Sequence, residues 1–291
     1  MIIYDEPLYR PPSEANSLII QATLGCSHNR CTFCTMYKSK SYTQRSLSDI
    51  FTEIESSASY GSIRRVFLAD GDAMALDTGS LLEILGKLRS TFPGLQRISI
   101  YANPGNLLKK TEVELKSLSA AGLTLLYLGI ESGSDIILKK INKGALRTHH
   151  QEAITKAMTC GIDVSATIIT GLGGRELWRE HIEQSAALVS SAAPTFLSTL
   201  SLMISPESRK EFTSAFEGGF TEQTDEGMLE EEKLLISLIK PERNIIFRSN
   251  HASNALALRG ILPADREKLI LKIDQALKGE IETRPEWMRG L

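Results

Sequence analysis

Six short runs in the first two-thirds of the chain are almost continuously apolar: residues 17–23 (SLIIQAT), 64–70 (RRVFLAD), 97–102 (RISIYA), 124–130 (TLLYLGI), 162–169 (IDVSATII) and 196–203 (FLSTLSLM). Runs of this length without strict alternation suit strands covered on both faces, as in a parallel sheet. Between them apolar residues recur every three to four positions, which predicts helices at 47–59, 79–91, 111–121, 134–142 with 148–160, and 176–191. Six strands alternating with helices predict a parallel α/β fold, either a doubly wound sheet or a barrel.

The polar residues between the runs separate these two architectures. The stretch with Cys26, Cys31 and Cys34 follows the first run, DGDAM (70–74) the second, NPG (103–105) the third, ESGSD (131–135) the fourth and TGLGG (170–174) the fifth. A barrel gathers the loops after all its strands at one mouth, whereas an open sheet concentrates function at a single switch point. The pattern therefore predicts a partial (β/α)6 TIM-like barrel over 17–205. Residues 1–16 form an N-terminal arm, and 206–291 a C-terminal extension placed as a lid over the barrel mouth. Within that extension the pattern predicts a helix at 228–240, a strand at NIIF and a last helix at 264–278.

Composition narrows the class only a little. The chain has 291 residues, 42% hydrophobic and 23% charged, with a formal net charge of −2, so nothing in the overall charge points to nucleic acid or anionic lipid. No run approaches the ~18 uninterrupted apolar residues of a membrane helix, and the polar, Pro-rich start carries no secretory core, so a cytoplasmic location is expected. Four cysteines, three of them within nine residues, do not make a secreted disulfide framework and point instead to metal.

Three thiolates can hold three irons of a [4Fe-4S] cluster and leave the fourth open to a small molecule. Structural zinc wants four protein ligands, of which His28 would be the fourth. Cys160, at the end of a helical segment before Gly161, reads as a small buried residue.

The spacing C-x4-C-x2-C, with Phe33 just before the last cysteine, resembles the cluster loop of the radical S-adenosylmethionine (SAM) enzymes, with one residue more than usual between the first two cysteines. FLADGDAM (67–74) is similar to that family's Gly-Gly-Glu region, with Asp70, Gly71 and Asp72 in its place. LGIESGSDIILKKINKG (128–144) resembles the fourth-strand segment of the branch containing methylthiotransferases and anaerobic porphyrinogen oxidases. IITGLGG (168–174) looks like the segment behind the adenine.

The resemblance implies a [4Fe-4S] cluster on Cys26, Cys31 and Cys34, with SAM contacted by Phe33, Asp70, Gly71, Asp72, Asn103, Glu131, Ile168 and Gly171. Acidic side chains there would offset the sulfonium and ammonium charges. Lys143 or Arg147 would reach the SAM carboxylate.

For catalysis the sequence offers His251, within the polar segment RSNHASN (248–254), and Tyr101; Asn106 is a further pocket-lining candidate, and His149 and His150 read as solvent-facing. The expected activity is an oxidoreductase-type radical reaction: reductive SAM cleavage, then hydrogen abstraction from a small or protein-bound substrate, with electrons from a flavodoxin or ferredoxin. Sulfur insertion or methyl transfer with a partner subunit, a non-catalytic iron–sulfur electron carrier and a zinc-stabilised binding module remain as alternatives.

Overall fold

In the computed structural model, which describes residues 2–290, the first apolar run divides into β1 (Leu18–Gln21) and a short β2 (Thr23–Leu24). β2 pairs antiparallel with β3 (Thr43–Gln44) across the cysteine loop. Beyond it come α1 (Leu47–Ser56), β4 (Arg65–Ala69), α2 (Thr78–Thr91), β5 (Arg97–Ala102), α3 (Pro104–Lys109), α4 (Glu112–Ala120) and β6 (Leu123–Glu131). The chain divides into two units, the first built from residues up to 29, 34–128 and 156–164.

In this first unit β1, β4, β5 and β6 pair in parallel, with Leu18 opposite Val66, Val66 opposite Ile98, and Ile100 opposite Leu126. Parallel strands need both faces covered, and β4 accordingly buries Val66, Phe67, Leu68 and Ala69 in succession. α2 buries Leu81, Ile84, Leu85 and Leu88, a helical stripe, and starts where the Asp77 carboxylate accepts from Ser80 N. α4 starts with a capping box between Thr111 and Glu114. α3 was not expected: Asn103 caps it and Pro104 opens it, so NPG starts a helix instead of making a simple turn.

The second unit comprises residues 30–33, 129–155 and 165 onward. Along the chain its elements include α5 (Asp135–Lys140), α6 (Arg147–Thr159), β7 (Asp163–Thr170), α7 (Gly174–Ala192), β8 (Phe196–Ser201), α8 (Pro206–Ser214), α9 (Asp225–Leu238), β9 (Ile245–Ser249), β10 (Leu258–Leu262) and α10 (Arg266–Leu277). β7 pairs with β8 and β8 with β9 in parallel, Ile168 opposite Thr199 and Phe196 opposite Ile246, while β10 returns antiparallel to β9.

The C-terminal residues thus extend this unit's sheet. β10 and α8 were not expected. In β10, Arg259 and Gly260 dilute the apolar alternation of Leu258 and Leu262. α8 carries Phe212 onto a cluster of Ile137, Leu138, Ile141, Ile169, Leu172 and Phe216. Burying such a ring contributes about 2–3 kcal/mol. Among the described residues no helix is long and apolar enough to cross a membrane.

Candidate active site

Asp70 follows β4 directly and is fully buried. A carboxylate there is tolerated only with partners, and it accepts from Gly25 N at 3.0 Å, Gln21 Nε2 at 3.1 Å and Lys40 Nζ at 3.1 Å. The backbone adds two ties: Asp70 N donates to Thr23 O at 3.0 Å and Gly71 N to Gly25 O at 3.1 Å. Residues 23–25, immediately before Cys26, are therefore fixed from the end of β4. Asp70 spends its acceptors on this loop and on Lys40.

Gly71 allows the close approach that follows. A Cβ at this position would lie 2.7 Å from the Tyr37 ring and 3.0 Å from Cys26 Cβ. The Tyr37 ring meets Tyr9 edge-on at 5.4 Å. Its hydroxyl is buried and has no hydrogen-bond partner among the described residues. Burial raises its pKa, as do the nearby Tyr101, Asp70, Cys26 and Cys34. Tyr101 on β5 packs edge-on against Phe67 at 4.9 Å, and its pKa is likewise raised, first by burial and then by Tyr127 and Cys34.

Asp72 is also fully buried. It accepts from the Ser27 hydroxyl, from Asn106 Nδ2 at 2.7 Å and from Asn103 N at 3.1 Å. Burial raises its pKa and those three hydrogen bonds pull against it. The Asn103 side chain accepts from Gly105 N at 2.9 Å, so Asn103 gives its backbone to Asp72 and its side chain to the α3 cap.

Cys26, Cys31 and Cys34 are half-buried and form no disulfide among the described residues. Cys26 and Cys34 belong to the first unit. Cys31 lies in the 30–33 stretch of the second, where Thr32 N donates to Ile141 O at 3.0 Å. Among the described residues no three His, Cys, Asp or Glu groups gather as around one ion. Structural zinc takes four protein ligands on one ion, and an iron–sulfur cluster takes each thiolate on a different iron. Three thiols in one loop, a glycine packed on Cys26 and an orphaned buried hydroxyl near Cys26 and Cys34 suit a cluster with a ligand against it. Cys160 is buried, as expected, and burial raises its thiol pKa.

In the second unit Glu131 ends β6 with φ +64° and holds Lys143 Nζ at 2.7 Å. Gly129 makes room for the pair, since a Cβ there would sit 2.0 Å from Glu131 Oε1. The Ser-Gly-Ser that follows is bound to α7. Gly133 N donates to Ser185 Oγ at 2.8 Å, and a Cβ on Gly133 would come within 2.3 Å of Gln184 O. Ser132 Oγ lies 2.8 Å from His181 Nδ1, whose Nε2 meets Ile169 O at 2.9 Å. Burial lowers the His181 pKa to about 4, so the ring is neutral, with Nε2–H donating and Nδ1 accepting.

Ile168 is fully buried in β7, and Phe33 packs on the cluster around Phe212. Gly171, at φ +82°, donates its N–H to Glu231 Oε2 at 2.6 Å. His251 Nδ1 accepts from Ser253 N at 3.1 Å, and Arg284 donates to the His251 carbonyl at 3.1 Å, so His251 sits in a braced turn; burial, then Arg284, lowers its pKa. His149 is exposed as expected, but His150 is not. It is fully buried, neither ring nitrogen has a hydrogen-bond partner among the described residues, and burial holds its pKa far below normal. Local spacing put it beside its exposed neighbour, and the helix face decided otherwise.

Glu231 and Glu232 were not singled out from the sequence, although Leu229, Glu232, Leu235 and Ile236 share one helical face and so place an acid in an apolar stripe.

The family model for the Radical SAM superfamily matches residues 20–189, more than half of the chain. A protein of Methanocaldococcus jannaschii bearing a methylthiotransferase name is 29% identical over 164 residues, covering 53% of this chain and 35% of that protein. The tRNA-2-methylthio-N(6)-dimethylallyladenosine synthase of Neisseria meningitidis is 27% identical over 194 residues, covering 63% and 43%. The matches thus span less than half the length of these curated relatives.

Among solved structures, methylornithine synthase is similar with TM-score 0.57 at 17% identity, covering 88% of this chain and 68% of that one. Coproporphyrinogen III oxidase from Escherichia coli is similar with TM-score 0.56 at 17% identity, covering 76% and 51%. These likenesses carry the fold, and the α/β barrel type expected from the strand pattern is the one they share.

Proposed function

This chain belongs to the radical SAM superfamily, and from that premise we propose that it cleaves SAM reductively and abstracts hydrogen from a small or protein-bound substrate. Cys26, Cys31 and Cys34 would hold a [4Fe-4S] cluster, with SAM on its open iron. When bound, this pair supplies a 5′-deoxyadenosyl radical and methionine after one electron arrives from a flavodoxin- or ferredoxin-type donor.

The chain's own residues bind and shield. Asp70 and Gly71 set the path of the cysteine loop, Asp72 and Glu131 are the acids suited to an ammonium and a ribose, and Asn103 acts through Asp72, which its N–H holds. Phe33 is the apolar candidate beside a nucleoside, whereas Gly171 is buried with its N–H on Glu231 and Ile168 is closed within β7, so these two act behind the site. Tyr101 and His251 are the candidates for contact with the reacting substrate. The observation that carries the proposal is the tie from Asp70 and Gly71 to Gly25, because it spends a buried carboxylate and a backbone N–H on the geometry of the loop that bears Cys26.

The test is anaerobic reconstitution with iron and sulfide, then SAM and dithionite, with 5′-deoxyadenosine quantified by mass spectrometry. Product is expected from the wild type and none from Cys34→Ala. Product from Cys34→Ala would overturn the ligand assignment, and a reducible cluster that leaves SAM intact would make the protein an electron carrier. The relatives' methylthiotransferase names favour a second reading, sulfur insertion or methyl transfer with a partner protein, and S-adenosylhomocysteine among the products would identify it.

A further inference from the structure

Thr170, Ser201 and Ser249 stand at the C-terminal ends of β7, β8 and β9. With Asn254 and with Asp225 and Glu232 from α9, they line a cavity of about 10 Å3, the space of one water-sized group. The polar segment RSNHASN builds one wall. Asn254 Nδ2 donates to Thr199 O and Ser249 Oγ, both at 2.8 Å, and its Oδ1 accepts from Ser201 N at 2.7 Å. Asn254 is thereby locked across two strands, with the Ser249 hydroxyl proton directed to Glu232.

Glu232 is 5% exposed, and Thr199 Oγ1 donates to its Oε1 at 2.6 Å. The hydroxyls of Thr199 and Ser249 serve this carboxylate. Thr170 Oγ1 gives its proton to Leu200 O at 3.2 Å, which leaves it acceptor capacity. Beside the apolar Met228, Leu229, Ala255 and Leu256 the walls offer acceptors, and Arg289, which reaches the lining through Asp225, is already engaged by that carboxylate. A buried carboxylate without a cation is costly, and the fitting complement is a compact cation with several N–H donors.

We propose that this cavity receives the primary ammonium group of the substrate, with Glu232 as its counter-charge. A substrate ammonium matches a water in size and brings three donors to these acceptors. Asp225, half-exposed and held in a fork by Arg289 at 2.8 and 2.7 Å, edges the cavity with its charge already matched, which leaves Glu232 as the counter-charge. Burial raises the Glu232 pKa to about 7, so an arriving cation can ionise it with little expense near neutral pH. The proposal rests on the radical SAM reading for the substrate's fate, while the binding itself requires neither SAM nor an electron.

The test is calorimetric titration of the reconstituted full chain with n-butylammonium chloride, against n-butanol and potassium chloride at equal ionic strength. Saturable binding is expected for butylammonium alone, weakened at least about tenfold in Glu232→Gln, a loss of about 1.4 kcal/mol. The proposal is overturned by absence of saturable binding, by equal binding of butanol, by displacement with potassium as an inorganic cation site would show, or by unchanged affinity in a folded Glu232→Gln. Should that variant not fold, the wild-type selectivity among the three solutes decides the matter. A protein that binds butylammonium and never cleaves SAM keeps this inference and sinks the functional reading. One that cleaves SAM and ignores butylammonium does the reverse.

Discussion

Lys40 Nζ lies 3.1 Å from Asp70 and 2.8 Å from Asp5, so one shielded ammonium joins the N-terminal arm to the end of β4. Desolvation is the largest influence on Lys40 and lowers its pKa, but the hydrogen bonds to Asp5 and Asp70 outweigh it and the net shift is upward. Asp70 is the partner without exposure, whereas Asp5 is half in water. Removing Asp70 leaves Lys40 underpaired and Gly25 N without its acceptor. Asp70→Ala is therefore expected to cost about 3–5 kcal/mol, read from urea unfolding. A loss below about 1 kcal/mol would mean the pair is screened like a surface one.

Gly71→Ala tests the approach of the second strand's loop to the cysteines. The added methyl would meet the Tyr37 ring at 2.7 Å and Cys26 Cβ at 3.0 Å, so the cysteine loop must shift. Iron per chain after reconstitution, with the brown cluster absorption, is expected to fall to a minor fraction of wild type while far-UV circular dichroism is kept. Full iron loading would show that the loop yields at no cost to the cluster.

His150 is a buried ring with both nitrogens unpartnered among the described residues. Such a group pays desolvation with nothing returned, roughly 1–3 kcal/mol. His150→Leu fills similar space without polar atoms and improves helix propensity within α6. It is expected to raise stability by about 1 kcal/mol in chemical denaturation. A destabilised variant would reveal a partner for the ring.

Glu231 sets a pH dependence with a definite sign. Burial raises its pKa from 4.5 to about 7 against the opposing hydrogen bonds from Gly171 and Gln223. Below the unfolded value both states are protonated. Between the two values only the unfolded chain ionises, so stability falls as pH rises and the full penalty is present above the folded value. Glu231→Gln keeps an acceptor for Gly171 N without the charge. The variant is expected to gain on wild type by on the order of 2 kcal/mol between about pH 5 and pH 8, measured as unfolding midpoints. Parallel pH curves would place the carboxylate in water.

The strand positions, the parallel α/β class and the cysteine loop were legible because each is written in contiguous residues. Apolar runs need both faces covered wherever they go, and three thiols within nine residues share one loop in any fold. Gly71 and Gly171 were singled out from the sequence, but what packs against them was not legible. The exposed-looking pair His149 and His150 divides because consecutive helical positions point about 100° apart, and packing chose one of them. β10 and α8 stayed hidden because a glycine-interrupted edge strand and a polar helix with one buried ring carry weak local signals.

The sequence by itself determined the cysteine loop, the order of strands and helices and the acidic residues after β4. Only the tertiary structure decided which acids are spent on the scaffold and which remain acceptors. Gly25 and Asp70 are 45 positions apart, and Gly171 and Glu231 are 60 apart. Local pattern fixes which face of an element is apolar, but the partner of a buried charge is chosen by long-range packing, where a carboxylate is stable only beside the donors the fold brings to it.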